Sequence, residues 1–180
     1  KESTNRVIPF LNWEFPASYF QAINPLFIIL LAPLLSDLWL NLQSVNKEPS
    51  APAKFAFGLG FVAFGFVLMV IASTLADTYG QVGFLWLVFV YLFHTVGELC
   101  ISPVGLSVVT KLAPAKFASL LMAVWFLSSF FANLGAGLFA ANYEQMNHQL
   151  FFMIPAVIAG ISSIILILLI KPIKKWMNER

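Results

Sequence analysis

The sequence is poor in charged residues and nearly devoid of cysteine. Ten Lys and Arg and eight Asp and Glu make only 10% of its 180 residues charged, whereas soluble domains carry about 25%. So few charges cannot cover a water-facing surface, which excludes an ordinary soluble domain. The single cysteine, Cys100, excludes a disulfide framework within the chain and is best interpreted as a small buried apolar residue.

Motifs for enzymatic chemistry are also lacking. The sequence has no HExxH, no CxxC, no glycine-rich phosphate loop leading into a helix, and no Ser–His–Asp arrangement. Its two histidines, His94 and His148, are predicted at different membrane depths and so cannot share a metal ion. We therefore predict a chain with no catalytic residues, metal, cofactor or nucleic-acid partner.

Long apolar segments make up most of the sequence. Hydrophobic residues make up 60% of the chain, and the mean hydropathy is +0.87. A spanning helix needs about 20 predominantly apolar residues. Five segments meet that length, which predicts an all-α polytopic membrane protein with spans at 20–42, 55–75, 84–109, 117–141 and 150–170.

The basic residues predict the orientation of these spans. Beyond the first six residues they occur only after the first, third and fifth spans. By the positive-inside rule these connections face the cytoplasm. We therefore predict an extracytoplasmic loop at 1–19, a transporter half at 20–171 and a cytoplasmic tail at 172–180. Because no signal peptide precedes an outside start, we also expect the chain to be a fragment with at least one preceding span.

One carboxylate, Glu98, lies deep inside the third apolar segment. At about 1.5 Å per residue it is roughly 20 Å from both Phe84 and Lys111, which places it at mid-membrane. A charge at that depth costs about 2.5 to 3.5 kcal/mol on insertion scales, so an ionisable residue there indicates a functional site. His94, one turn earlier, suggests a proton relay, although a contact with a neighbouring helix is the favoured interpretation.

Four further polar or aromatic residues are predicted to face the same pocket. Ser129 lies about 20 Å from Lys116 on the next span, Trp125 and Asn133 share its face, and Asn24 lies near the outer end of the first span. Together with Glu98 they suggest a pocket for a zwitterionic or cationic small molecule.

Each of these residues also has a purely structural interpretation. Glu98 would pair with a basic residue on an absent helix, and Ser128 and Ser129 would bond their own helix carbonyls. Trp125 would only pack, and Asn24 would only cap a helix.

Four sequence stretches resemble a known family. They are FQAINP within 13–39, PSAPAKFAFGLG at 49–60, GELCISPVGLS within 97–114, and WFLSS at 125–129. In these stretches the chain resembles the C-terminal half of the proton-dependent oligopeptide transporter (POT) family, prokaryotic type. The resemblance implies the C-terminal six-helix half of a major facilitator fold, of which this chain holds about five helices, the eighth to the twelfth.

The resemblance also implies residue roles. Glu98 matches the residue that receives the peptide amine and is linked to proton coupling, and Asn24 matches one that hydrogen-bonds the peptide. Trp125, Phe126 and Ser129 match the cavity wall. The implied function is proton-coupled symport of di- and tripeptides by alternating access across the bacterial inner membrane. The implied partners are the peptide, protons, the lipid bilayer and the missing N-terminal half.

Two alternatives remain open at the level of sequence. A major facilitator carrier for another small substrate, such as nitrate or a glycoside, would share the fold, although a carboxylate in the cavity suits an amine better than an anion. A structural or receptor-like membrane protein would also share it, and there Glu98 would affect only stability.

Overall fold

Five long α-helices make up most of the computed structural model of the chain, which describes residues 4–5, 7–8, 13–14 and 19–177. All five are long and apolar enough to cross a membrane, so the prediction of an all-α polytopic fold is confirmed. The helices are α1 (Phe20–Ser44), α2 (Ala51–Tyr79), α3 (Leu85–Leu112), α4 (Ala118–Ala140) and α5 (His148–Met177). A short 3-10 turn, Ala115–Phe117, precedes α4.

Helices α2 and α5 extend furthest beyond their predicted spans. Helix α2 begins at Ala51, four residues before the predicted start, because Pro52 lies in the first turn, where the missing N–H has no partner to lose. Helix α5 continues through Pro172 to Met177, and Lys174 and Lys175 in its last turn complement the helix dipole. Residues 178–180 of the predicted tail lie outside the described part of the chain, as does most of the predicted loop at 1–19.

Short strands precede α1. Strand β1 (Thr4–Asn5) pairs in parallel with β4 (Val82–Gly83), which lies between α2 and α3. Strands β2 (Val7–Ile8) and β3 (Trp13–Glu14) form an antiparallel pair. Strand β1 therefore lies beside the α2–α3 connection, at the same end of the bundle.

Helix α2 is the centre of the packing. It packs along both α3 and α5, while α1 and α4 pack against α3. The α2–α3 crossing is close because glycines meet there: a Cβ atom on Gly97 would lie 2.7 Å from the carbonyl oxygen of Gly58. On the other side of α2, the buried Ser163 hydroxyl of α5 donates a 2.8 Å hydrogen bond to the Ala56 carbonyl oxygen.

The two ends of the bundle differ in charge. We call the end with Asp77 and Glu144 the acidic end, and the opposite end, which carries the lysines of α2, α3 and α5, the basic end. At the basic end Lys54 is only 8% exposed. Its Nζ lies 2.5 Å from Glu48 Oε1 and 4.7 Å from the centre of the Trp39 ring, so a carboxylate and an aromatic face compensate its burial.

Candidate substrate-binding site

Glu98 lies at the middle of α3, about 20 Å from either end of the helix. Its side chain is exposed in this chain, although its flanking residues in the helix are almost all apolar. In the described part of the chain no lysine or arginine forms an ion pair with it. The structure therefore presents a carboxylate on an open helix face at the depth where a bilayer is least polar.

The amide of Asn24 connects Glu98 to α1. Asn24 Nδ2 donates a 3.2 Å hydrogen bond to Glu98 Oε2, and Asn24 Oδ1 accepts a 2.5 Å bond from the Thr95 hydroxyl. Both the nitrogen and the oxygen of the amide thus form hydrogen bonds, which fixes the orientation of the amide. The predicted proximity of Asn24 and Glu98 is therefore present as a direct contact.

Local sequence places both groups. Pro25 follows Asn24 and has no N–H for the carbonyl of Gln21, so the second turn of α1 lacks one helix hydrogen bond beside the amide. Gly97 precedes Glu98 and lies against α2. Because successive helix residues point about 100° apart, burying Gly97 against α2 leaves Glu98 directed toward α1.

Thr95 is a site residue that the sequence reasoning missed. It is 0% exposed, and its hydroxyl also lies 2.7 Å from the Tyr91 carbonyl oxygen. Its position three residues before Glu98, on the same helix face, was the available signal. Because the Thr95 hydroxyl donates to Asn24 Oδ1, the N–H groups of the amide point toward Glu98.

Helix α4 supplies the aromatic residues of the prediction. The indole of Trp125 occupies the space above Gly105, where even a methyl group would overlap it. Gly105 is seven residues after Glu98, so it lies on nearly the same face of α3, about 10 Å further along. Trp125 therefore lines the same face as the carboxylate, two turns toward the basic end.

Among the described residues, the other predicted α4 residues form no hydrogen bond with Glu98. Phe126 is 61% exposed, and among the described residues no hydrogen bond joins the Ser129 hydroxyl to Glu98 or Asn24. The Asn133 amide bonds the Ser129 carbonyl oxygen within α4. Ser128 donates to the Trp125 carbonyl oxygen, which confirms the helix-bonding interpretation of that serine.

His94 belongs to the packing between α2 and α3. Its ring lies 4.6 Å from the ring of Phe66 and fills the space above Gly65. Its buried Nε2 atom has no hydrogen-bond partner among the described residues. The ring therefore faces α2, away from the contact between Glu98 and Asn24.

The site can bind a small molecule that carries a positive charge and hydrogen-bonding groups. Glu98 offers the charge, Asn24 the orienting amide and Trp125 an apolar wall. In the described part of the chain no three His, Cys, Asp or Glu side chains lie close enough to hold a metal ion.

The chain is similar to known proteins over most of its length. The model of the POT family matches residues 5–149. A peptide transporter of Yersinia enterocolitica subsp. palearctica is 39% identical over 98% of this chain and 35% of its own length. A di-/tripeptide transporter of Lactococcus lactis subsp. cremoris is 38% identical over 90% of this chain and 32% of its own length.

A solved structure gives the same result. The crystal structure of a peptide transporter POT in complex with sulfate superposes with a TM-score of 0.86 at 34% identity, covering 97% of this chain and 34% of that one. The chain thus spans about a third of the length of the relatives it matches. The predicted family resemblance is confirmed, and the chain belongs to the POT family of transporters.

Proposed function

We propose that the complete protein carries di- and tripeptides across a membrane together with protons, by alternating access. The observation that supports this most directly is the Glu98 carboxylate, held by Asn24 on an open face at the middle of an apolar helix. The relatives from Yersinia enterocolitica and Lactococcus lactis bear the names peptide transporter and di-/tripeptide transporter.

Each site residue has a proposed role. Glu98 accepts the N-terminal ammonium of the peptide and exchanges a proton during transport. Asn24 has two amide N–H groups, only one of which is needed for Glu98, so the other is available for a peptide carbonyl or terminus. Trp125, Phe126 and Ser129 form the cavity wall on α4.

Glu98 also separates this function from the alternatives. A carboxylate in a low-dielectric cavity attracts an ammonium group and repels an anion such as nitrate. A structural protein would not require a mid-membrane carboxylate whose only described side-chain partner is a neutral amide. Another small cationic or zwitterionic substrate would fit the same charge, and direct uptake measurements distinguish it from a peptide.

The proposal includes a location and a partner within the same protein. The site functions in a bacterial inner membrane, with the basic end and the C-terminus at the cytoplasmic face. The N-terminal half of the transporter closes the open face of α3 and supplies the groups that bind the peptide carboxylate.

Uptake by the complete protein tests the function. The measurement is accumulation of a radiolabelled dipeptide in proteoliposomes with an inward proton gradient, with nitrate, a glycoside and a free amino acid as parallel substrates. We expect concentrative uptake of the dipeptide that disappears when a protonophore collapses the gradient. Gradient-driven uptake of another substrate without dipeptide uptake would contradict the proposal.

A further inference from the structure

A small cavity lies at the acidic end, away from Glu98. It has a volume of about 210 Å³ and opens between the ends of α2, α3 and α5. Such a volume is below the roughly 300 to 1,000 Å³ of ordinary ligand pockets, so it suits a small head group rather than a peptide. Six of the residues that line it are polar or aromatic: Ser73, Asp77, Trp86, Tyr143, His148 and Phe152.

Two residues of α2 that carry side-chain oxygen atoms line this cavity. Ser73 and Asp77 are one helix turn apart and so lie on the same face. Thr74 and Thr78 bond carbonyl oxygens of their own helix, but the buried Ser73 Oγ has no hydrogen-bond partner among the described residues. A buried hydroxyl without a hydrogen-bond partner is energetically unfavourable, and a bound ligand is one way to supply that partner.

Among the described residues that line the cavity Asp77 is the one carboxylate, and none is a lysine or an arginine. Asp77 Oδ2 accepts a 3.2 Å hydrogen bond from Gln149, and no lysine or arginine occurs between Asp77 and Leu87 or between Tyr143 and Phe152. Helix α2 ends here with the negative end of its dipole, while α3 and α5 begin here with the positive ends of theirs. The backbone donors of α5 that would attract an anion are occupied, because Asn147 Oδ1 accepts from the N–H groups of Gln149 and Leu150.

Aromatic rings complete the cavity. Tyr143 and His148 have ring centres 4.7 Å apart, Tyr143 also contacts Phe152, and Trp86 lines the α3 side. Burial, and secondarily the charge of Asp77, raise the pKa of Tyr143, so its phenol stays neutral at physiological pH. Aromatic faces next to a carboxylate are the usual surroundings of a bound ammonium group.

We propose that this cavity binds a primary ammonium group, with Asp77 and Ser73 accepting its N–H bonds and the aromatic rings surrounding it. Two sources have this chemistry: the ethanolamine head group of a membrane lipid, and a small free amine. A quaternary ammonium has no N–H to donate, so a choline head group binds less well. This site is separate from the proposed peptide site and does not depend on transport.

The test uses the purified full-length transporter after removal of native lipid. Native mass spectrometry measures retention of phosphatidylethanolamine against phosphatidylcholine and phosphatidylglycerol with the same acyl chains. Thermal unfolding with added ethanolamine, and with sodium chloride as the ionic-strength control, measures binding of the free amine. Neither readout requires peptide uptake, so a failure here is distinguishable from a failure of the transport proposal.

The decisive variant is Asp77→Asn, which keeps an oxygen for Gln149 but removes the charge. We expect it to weaken ammonium binding about tenfold, since a hydrogen bond to a charged group is lost. The matched control is Glu144→Gln, which removes an exposed acid at the same end outside the cavity, and we expect wild-type binding. Ser73→Ala, which leaves the charge unchanged, should weaken ammonium binding severalfold. If Asp77→Asn does not fold, ammonium binding by Ser73→Ala tests the proposal in its place.

The outcome also identifies the source. Preferential retention of phosphatidylethanolamine that Asp77→Asn abolishes supports a lipid head group, and stabilisation by ethanolamine alone supports a free amine. No preference for either ligand, or an equal preference in wild type, Asp77→Asn and Ser73→Ala, would overturn the proposal.

Discussion

Asn24 Nδ2 donates a 3.2 Å hydrogen bond to Glu98 Oε2, and this bond joins α1 to the middle of α3. It gives the mid-membrane carboxylate a polar partner without neutralising its charge. The carboxylate therefore stays available to a positively charged ligand or a proton.

Thr95→Val should weaken substrate binding. Valine has nearly the same shape as threonine but leaves Asn24 Oδ1 without its 2.5 Å partner, so the amide is free to turn away from Glu98. We expect the KM for a dipeptide to rise about three- to tenfold in proteoliposome uptake. The matched control is Thr110→Val, because that exposed hydroxyl bonds only carbonyl oxygens of its own helix. A wild-type KM in Thr95→Val would contradict the role of Thr95.

Gly97→Ala should destabilise the transporter. The added methyl group would lie 2.7 Å from the Gly58 carbonyl oxygen, so α2 and α3 must move apart. We expect a loss of about 1 to 3 kcal/mol, as for other overpacked contacts, seen as a lower thermal midpoint in detergent. Gly60→Ala is the control, because its methyl group would meet only Ser163 Oγ at 3.5 Å. Equal midpoints for the two variants would show that the close crossing is unimportant.

Lys54→Met should destabilise the basic end of the bundle. The change removes the ion pair with Glu48 and the contact with the Trp39 ring, and it leaves a half-buried carboxylate unpaired. We expect a lower thermal midpoint, with partial recovery in Lys54→Arg, which retains the charge. Lys47→Met serves as the control because Lys47 is exposed. A midpoint in Lys54→Met equal to that of Lys47→Met would rule out this stabilising role.

The sequence predicted the helices well because a bilayer imposes strong rules on composition. Five apolar segments and alternating basic connections sufficed for the fold, but the ends were less predictable. Lys54 suggested a connection, whereas α2 already includes it, because Glu48 and Trp39 compensate its charge. That compensation depends on contacts between elements, which spacing along one segment does not reveal.

The site was predictable in part. The depth of Glu98 follows from counting residues, and Asn24 was expected at the same pocket, where the two form a hydrogen bond. Thr95 was not predicted, because a hydroxyl in a membrane helix can bond a carbonyl oxygen of its own helix and so gives no signal of a partner on another helix. Depth alone also did not show how α4 lies: Trp125 packs at Gly105 rather than beside Glu98, because the packing of neighbouring helices decides which residues meet.

The central claim is that Glu98 links peptide binding to the proton gradient, and Glu98→Gln tests it most directly. The measurement is dipeptide accumulation driven by an inward proton gradient in proteoliposomes of the complete transporter, with the thermal midpoint recorded for folding and Glu144→Gln as the control. Glutamine can still accept the hydrogen bond from Asn24 but carries no exchangeable proton or charge. We predict a wild-type midpoint and loss of gradient-driven accumulation in Glu98→Gln alone; wild-type accumulation in that variant would contradict the account.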